Sequence, residues 1–162
     1  MSVIPDLTTE RLVLHAWTPE EIDAVITGKR LPHWAEDFPA EGDKALAGLF
    51  EKHPGWYGAY GHRQIIEHAS GQVVGAIGLF TPQPDGAVEF GYGVAPSHQG
   101  KGYASEAARA MIVHALTMPG TEVVFAKVSL DNPASLRVLE KAGLIPWTGL
   151  ELEPGLTAFR TP

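Results

Sequence analysis

A short loop with two glycines, just before a helix, is the part of the sequence that most suggests chemistry, because it brings several unshielded backbone N–H groups together. It reads QGKGYA and lies between a strand pattern that ends at Val94 and a helical pattern that begins at Tyr103. The first N–H groups of a helix lack partners within the helix and carry the positive end of its dipole, so such a position binds anions. Glycines at positions 100 and 102 leave the backbone open to a phosphate, and Lys101 adds a positive charge. The alternative is that the glycines only make a tight turn from strand to helix.

Two other kinds of phosphate-binding loop do not fit this stretch. A Walker loop requires a glycine where Ala95 stands and a serine or threonine where Gly102 stands. The dinucleotide pattern G-x-G-x-x-G fails because Ser105 occupies the third glycine position.

The pattern that does match is Q-x-x-G-x-A, which resembles the acetyl-CoA loop of the GNAT superfamily of N-acetyltransferases. The longer stretch EFGYGVAPSHQGKGYASEA, followed by NPASLRVLEKAG, is similar to the subgroup that contains the ribosomal-protein N-terminal acetyltransferases. TTERLVLHAW resembles the opening strand of that subgroup. The resemblance is specific over residues 86–144 and vague in the N-terminal third.

This resemblance implies acetyl-CoA as a cosubstrate, with its pyrophosphate held by the loop and its pantetheine arm lying beside the strand that ends at Val94. It also implies that Asn132 and Ser135 contact the arm or the thioester. Asn132 could equally be an ordinary helix cap, and Ser135 a solvated serine in a first helical turn. The cofactor-binding residues implied are Val94, Gln99, Gly100, Lys101, Gly102, Tyr103, Ala104, Asn132 and Ser135.

Glu89 is the candidate general base. It lies within the otherwise apolar stretch AVEFGYGV, where an ionised carboxylate is costly unless a cleft solvates it or a partner neutralises it. The resembling subgroup usually has its base at this position. Deprotonating a lysine-like amine of pKa ~10.4 at pH 7 costs about 4.6 kcal/mol, against about 1.4 kcal/mol for an α-amine. The alternative interpretation is a strand residue on a solvated face of the sheet.

The general acid has two candidates. Many members of the resembling family have a tyrosine where Leu139 stands, so this chain lacks that group. Ser135 or an ordered water is then the candidate proton donor. A leaving thiolate of pKa ~8.5 requires only about 2 kcal/mol at pH 7, so the base matters more than the acid.

The acceptor is expected to be a small-molecule or peptide amine. Its pocket is predicted in the irregular segment at residues 33–38, together with Trp56 and Tyr92, because aromatic and acidic groups suit an amine with apolar parts. Trp34 and Phe38 could instead be core residues beneath a long loop. The sequence holds no H-E-x-x-H pattern, and we expect no metal.

The hydrophobic periodicity predicts the elements that position these residues. Strands are expected at 11–17, 65–69, 72–80, 87–94 and 122–130, and a closing hairpin at 145–160. Helices are expected from Pro19, at 43–51, from Tyr103 for about 13 residues, and at 132–143. The expected fold is α/β, a mixed, twisted sheet of six or seven strands with helices on both faces, in one domain over residues 1–162.

The composition limits the function further. The 162 residues carry 12 Lys and Arg against 19 Asp and Glu, a formal charge of −7 that disfavours nucleic acid and anionic lipid as partners. The chain has no cysteine, which rules out a disulfide, a thiolate metal site and a cysteine acyl-enzyme. No export signal or membrane span is visible, so we expect a cytoplasmic protein, as a monomer or homodimer.

Two further functions remain open. One is an acyl-CoA-binding sensor without turnover, and the other is a nucleotide-binding domain of another class. Glu89 and an open strand edge favour the enzyme over the sensor. The missing Walker and dinucleotide patterns disfavour the nucleotide-binding domain.

Overall fold

The computed structural model describes residues 4–80 and 85–162. The described strands are β1 (Leu7–Thr8), β2 (Leu12–Ala16), β3 (His62–Glu67), β4 (Val73–Leu79), β5 (Ala87–Val94), β6 (Val123–Ser129), β7 (Ile145–Pro146) and β8 (Leu156–Arg160). The α-helices are α1 (Pro19–Thr27), α2 (Glu41–Ala47), α3 (Tyr103–Leu116) and α4 (Pro133–Lys141). Short 3₁₀ turns lie at Phe50–Lys52, Pro54–Tyr57 and Pro96–His98.

The described strands form one mixed sheet in the order β1-β2-β3-β4-β5-β6-β8-β7. Neighbours are antiparallel except β5 and β6, which are parallel and joined through α3. The expected mixed α/β sheet with helices on both faces is confirmed, since every residue of the central strand β4 is buried. Two strands of two residues each, β1 and β7, bring the sheet to eight strands.

Local signals placed most helices correctly. Thr18 accepts a hydrogen bond from the N–H of Glu21, and the Glu21 carboxylate accepts one from the N–H of Thr18, which completes a capping box before Pro19. The Asn132 side chain caps α4 in the same way by accepting from the N–H of Ser135 at 3.1 Å. The helix expected at 43–51 is wrong in its bounds, because α2 covers residues 41–47 and a 3₁₀ turn follows it.

The hairpin between β3 and β4 turns at Gly71, whose φ of +72° lies in the left-handed region that favours glycine. The turn expected between β4 and β5 at 82–86 lies largely outside the described residues. No helix in the described ranges is long and apolar enough to cross a membrane.

The β5–β6 pairing ends early, and this feature positions the site. The two strands are in register only at Ala87–Val123, Val88–Val124 and Glu89–Phe125. Beyond Glu89, β5 continues to pair with β4, and β6 continues to pair with β8. A cleft therefore opens between β5 and β6, and one edge of β5 from Phe90 to Val94 is unpaired.

Alternation along the strands assigns side chains to two faces. The α3 face includes Arg63 and Tyr92, whose register partners on β4 are the same residue, Ile77. His114 of α3 and Arg63 both hydrogen-bond to the Ala59 carbonyl, which places α3 on this side. Glu89 projects from the opposite face of the sheet. Its partner on β6, Phe125, projects from the same face as Glu89.

Candidate functional site

The loop before α3 presents a row of unused backbone N–H groups. Gly100 and Gly102 both have φ of +81°, and Gly102 is the N-cap residue of α3 without a side-chain cap. The N–H of Gln99 donates to the Pro96 carbonyl at 3.3 Å, so this one group is already used within the chain. In the described parts of the chain, the N–H groups of residues 100–104 have no acceptor. Five consecutive N–H groups are thus available at the positive end of a 14-residue helix.

Arg11, immediately before β2, fixes the loop from one side. Its guanidinium donates to the Lys101 carbonyl and to the Glu106 carboxylate, each at 2.8 Å, and lies 4.7 Å from the ring centre of Tyr103. The Glu106 carboxylate also accepts from the Thr9 hydroxyl at 2.5 Å. The loop is therefore tied to the N-terminal strand.

A second acid, Glu67 at the end of β3, supports the loop from the other side. Its carboxylate accepts from the Tyr103 hydroxyl at 2.5 Å, and this hydrogen bond, followed by that from Ser70, lowers the pKa of Glu67. His98 Nε2 lies 3.8 Å and Lys101 Nζ 3.9 Å from the same carboxylate. Glu67 is not identifiable from the sequence, because no pattern along the chain pairs it with a loop 36 residues away.

The unpaired edge of β5 leads from this loop into the cleft. At its end, the Gln99 side chain donates to the Val94 carbonyl at 2.8 Å, which joins the loop to the strand. Gly93 is exposed, and a Cβ added there would meet no atom within 4 Å. An extended chain with amide groups could pair with this edge as an additional strand.

Glu89 lies where the cleft begins, on the face opposite α3. Its side chain is 24% exposed, and its carboxylate lies 3.8 Å from Nζ of Lys127 on β6. The carboxylate is thus both partly solvated and paired, which meets the two conditions under which an ionised group is tolerated at this depth.

The other side of the cleft holds a pair of hydroxyl groups. The Tyr92 hydroxyl donates a hydrogen bond to the Ser135 carbonyl oxygen at 3.4 Å and forms a short hydrogen bond with Oγ of Ser135. Burial raises the pKa of Tyr92, and the hydrogen bond from Ser135 opposes this rise. Leu139 is fully buried and offers no polar group. Tyr92 was expected only as a wall of the acceptor pocket.

The segment predicted to line the acceptor pocket has a different character. Trp34, Phe38 and Trp56 are 4%, 0% and 4% exposed and belong to the hydrophobic core. The Asp37 carboxylate accepts from the N–H of Ser97 at 2.7 Å and from its hydroxyl at 2.6 Å. This segment therefore supports the region before the loop, and the core alternative holds for its aromatic residues.

The site residues fit a coenzyme that carries a diphosphate and an amide-containing arm. The N–H groups of residues 100–104 suit the diphosphate, and the unpaired edge of β5 suits the arm. No group of three or more His, Cys, Asp or Glu side chains within the described ranges is arranged to hold a metal ion.

Known proteins share this architecture. A structure of an acetyltransferase from Agrobacterium tumefaciens superposes with a TM-score of 0.70 at 22% identity, over 100% of this chain and 96% of the other. A Vibrio cholerae structure provisionally described as a ribosomal-protein-serine acetyltransferase superposes with a TM-score of 0.68 at 17% identity, over 99% and 98%. At these identities the likeness shows the fold alone.

Sequence relatives are named as acetyltransferases. The uncharacterized N-acetyltransferase YjdG of Bacillus subtilis is 35% identical over 50% of this chain and 49% of its own length. The spermidine N(1)-acetyltransferase of Vibrio cholerae is 25% identical over 71% of this chain and 65% of its own length. The chain thus spans about half to two thirds of the length of these curated relatives. The family profile described as "Acetyltransferase (GNAT) domain" matches residues 11–145, and the chain belongs to this family.

Proposed function

We propose that this protein is an N-acetyltransferase that transfers acetyl from acetyl-CoA to a primary amine by direct attack in a ternary complex. The observation that carries the proposal is the continuity of the site. Five unused N–H groups at the start of α3 lead to the unpaired edge of β5, and that edge leads to Glu89. The family to which the chain belongs supports the same reaction.

In this proposal the loop residues hold the pyrophosphate, and the β5 edge ending at Val94 pairs with the pantetheine arm. Gln99 would release or share the Val94 carbonyl, since its amide now occupies that acceptor. Asn132 contributes by capping α4, which fixes Ser135 in the first helical turn. The bound cosubstrate supplies an activated acetyl group as a thioester.

Glu89 would take the proton that the attacking amine must lose. For a lysine-like amine this step costs about 4.6 kcal/mol at pH 7, so a base beside the nucleophile has a large effect. The Lys127 ammonium group lies 3.8 Å from the Glu89 carboxylate, and the ammonium group of a substrate could take its place there. Across the cleft, the hydroxyl pair of Ser135 and Tyr92 would stabilise the departing thiolate.

The acceptor proposed is a primary amine on a peptide N-terminus or on a small molecule such as a polyamine. The spermidine acetyltransferase relative favours a polyamine, and the resemblance to the ribosomal-protein subgroup favours a peptide. The formal charge of −7 suits either, since both acceptors are cationic.

The proposal can be tested by thiol release from acetyl-CoA over a panel of amines, with wild type, Glu89→Gln and the exposed control Glu140→Gln. We expect Glu89→Gln to lower kcat by about 10²- to 10⁴-fold, more for lysine-like amines than for α-amines. Calorimetry should show unchanged CoA binding in this variant. Tight CoA binding without thiol release on any amine, unchanged in Glu89→Gln, would instead identify an acyl-CoA sensor.

A further inference from the structure

The hydroxyl pair of Tyr92 and Ser135 spans the cleft between β5 and α4. Tyr92 is half-buried, and its hydroxyl lies against both the Oγ and the carbonyl oxygen of Ser135. The pair links β5 to α4, the helix that follows β6, beyond the point where the backbone pairing of β5 with β6 ends. Its position in the cleft follows from the fold and not from any sequence pattern.

The pair lies on the same side of the sheet as the phosphate-binding loop. Tyr92 projects from the α3 face, whereas Glu89, three residues earlier and about 10 Å away along the strand, projects from the other. A thioester that reached through the cleft from the loop with its carbonyl toward Glu89 would keep its sulfur on the side of Tyr92.

Phenol and thiol acidities decide what Tyr92 can do there. An ordinary tyrosine has a pKa of ~10 and a thiol ~8.5, and burial raises the pKa of Tyr92 further. A thiolate therefore cannot remove the proton from Tyr92 at equilibrium. The phenol acts as a hydrogen-bond donor that keeps its proton, in the manner of an oxyanion-hole group.

We propose that Tyr92 is a catalytic residue whose hydroxyl turns from the Ser135 carbonyl oxygen to donate a hydrogen bond to the sulfur of the leaving thiolate, while Oγ of Ser135 donates to the Tyr92 oxygen and orients the phenol. This inference rests on the proposed acetyl transfer. As the amine nitrogen bonds to the acetyl carbon, the C–S bond breaks and its electron pair goes to sulfur. The proton of the amine goes to Glu89, and the released thiolate takes its own proton from water.

The test measures the pKa of the thiol of CoA bound to the protein, from the ultraviolet absorbance of the thiolate across a pH series, with the desulfo-CoA complex as blank. A donor to the charged form lowers the pKa, so Tyr92→Phe should raise the pKa of the bound thiol by about one unit. Ser135→Ala should raise it by less. When Ser135→Ala is added to Tyr92→Phe, the pKa of the bound thiol should not change further, since Ser135 acts through Tyr92.

Turnover gives a second readout. Tyr92→Phe should lower kcat by about tenfold, with the Kd for CoA changed less than twofold. Tyr60→Phe is the matched control, because it removes a phenol that bonds to Thr117 at 2.9 Å on another part of the surface. It should leave both readouts unchanged. Melting curves of each variant establish that the fold is kept.

Three results would overturn the inference. If Tyr92→Phe binds CoA with an unshifted thiol pKa, Tyr92 does not face the sulfur. If Ser135→Ala alone produces the full shift and Tyr92→Phe none, the serine makes the contact. If wild type binds no CoA, the proposed function itself fails and takes this inference with it, whereas the first two results leave acetyl transfer intact.

Discussion

Gly100 offers the sharpest test of the phosphate-binding loop, through the substitution Gly100→Ala. Its φ of +81° is a conformation that L side chains rarely adopt, and an added Cβ would meet nothing within 4 Å. The substitution therefore carries backbone strain without any internal clash. The new methyl group projects into open space beside the five unused N–H groups.

The size of both effects can be estimated. A non-glycine residue in the left-handed region costs roughly 1–2 kcal/mol, which lowers Tm by about 2–8 °C in a chain of this size. If the methyl group also prevents one N–H from reaching a phosphate oxygen, the loss of a charged hydrogen bond is about 1.5–3 kcal/mol. The Kd for CoA should then rise about tenfold to a hundredfold.

Gly28→Ala separates strain from binding. Gly28 ends α1 with φ of +79°, and a Cβ there also meets nothing within 4 Å, so its strain should equal that of Gly100→Ala. Calorimetric titration with CoA and thermal melting of both variants provide the comparison. Equal losses of Tm with weaker CoA binding only in Gly100→Ala are expected. Wild-type affinity in Gly100→Ala would refute the assignment of this loop to the diphosphate.

Two further predictions concern the buried polar residues of β3. Burial lowers the pKa of His62 to about 4, so the unfolded chain, with a histidine pKa near 6.5, binds the proton more readily. Stability should thus fall by about 3 kcal/mol as the pH drops from ~6.5 to ~4, and His62→Phe should remove most of that dependence in urea unfolding. Arg63 is 1% exposed and donates to the carbonyls of Pro5, Leu14 and Ala59. Arg63→Met should lower stability by about 3 kcal/mol without changing the Kd for CoA, and a Tm within 2 °C of wild type would contradict this.

The elements that the sequence predicted well are those specified by neighbouring residues. The start of α1 depends on Thr18 and Glu21, and the start of α4 on Asn132, each within three residues of its partner. The strand β5 was predicted with its observed bounds, because turn residues precede it and the loop follows it. Such local hydrogen bonds and patterns can be read directly along the chain.

The parts that were missed depend on residues distant in sequence. Glu67 meets Tyr103 across 36 positions, and Tyr92 meets Ser135 across 43. The same limit explains the acceptor pocket, where aromatic residues suggested a binding wall and Trp34 and Phe38 instead fill the core. Composition identifies residues able to do chemistry, but only packing determines which of them are exposed to a ligand.

The roles proposed for Glu89 and Tyr92 follow from one interruption of the sheet. If β5 and β6 paired along their whole length, these two residues would face separate compartments, and no substrate could contact both. Because pairing stops at Glu89, a ligand could pass between the strands, and residues on opposite faces of β5 could act on the same reacting thioester. A base on one side and a hydroxyl donor on the other then stabilise the two charges that develop in acetyl transfer, at the nitrogen and at the sulfur. In this proposal the separation of the strands is the structural requirement for the chemistry, and the loop at residues 99–104 would anchor the molecule that passes between them.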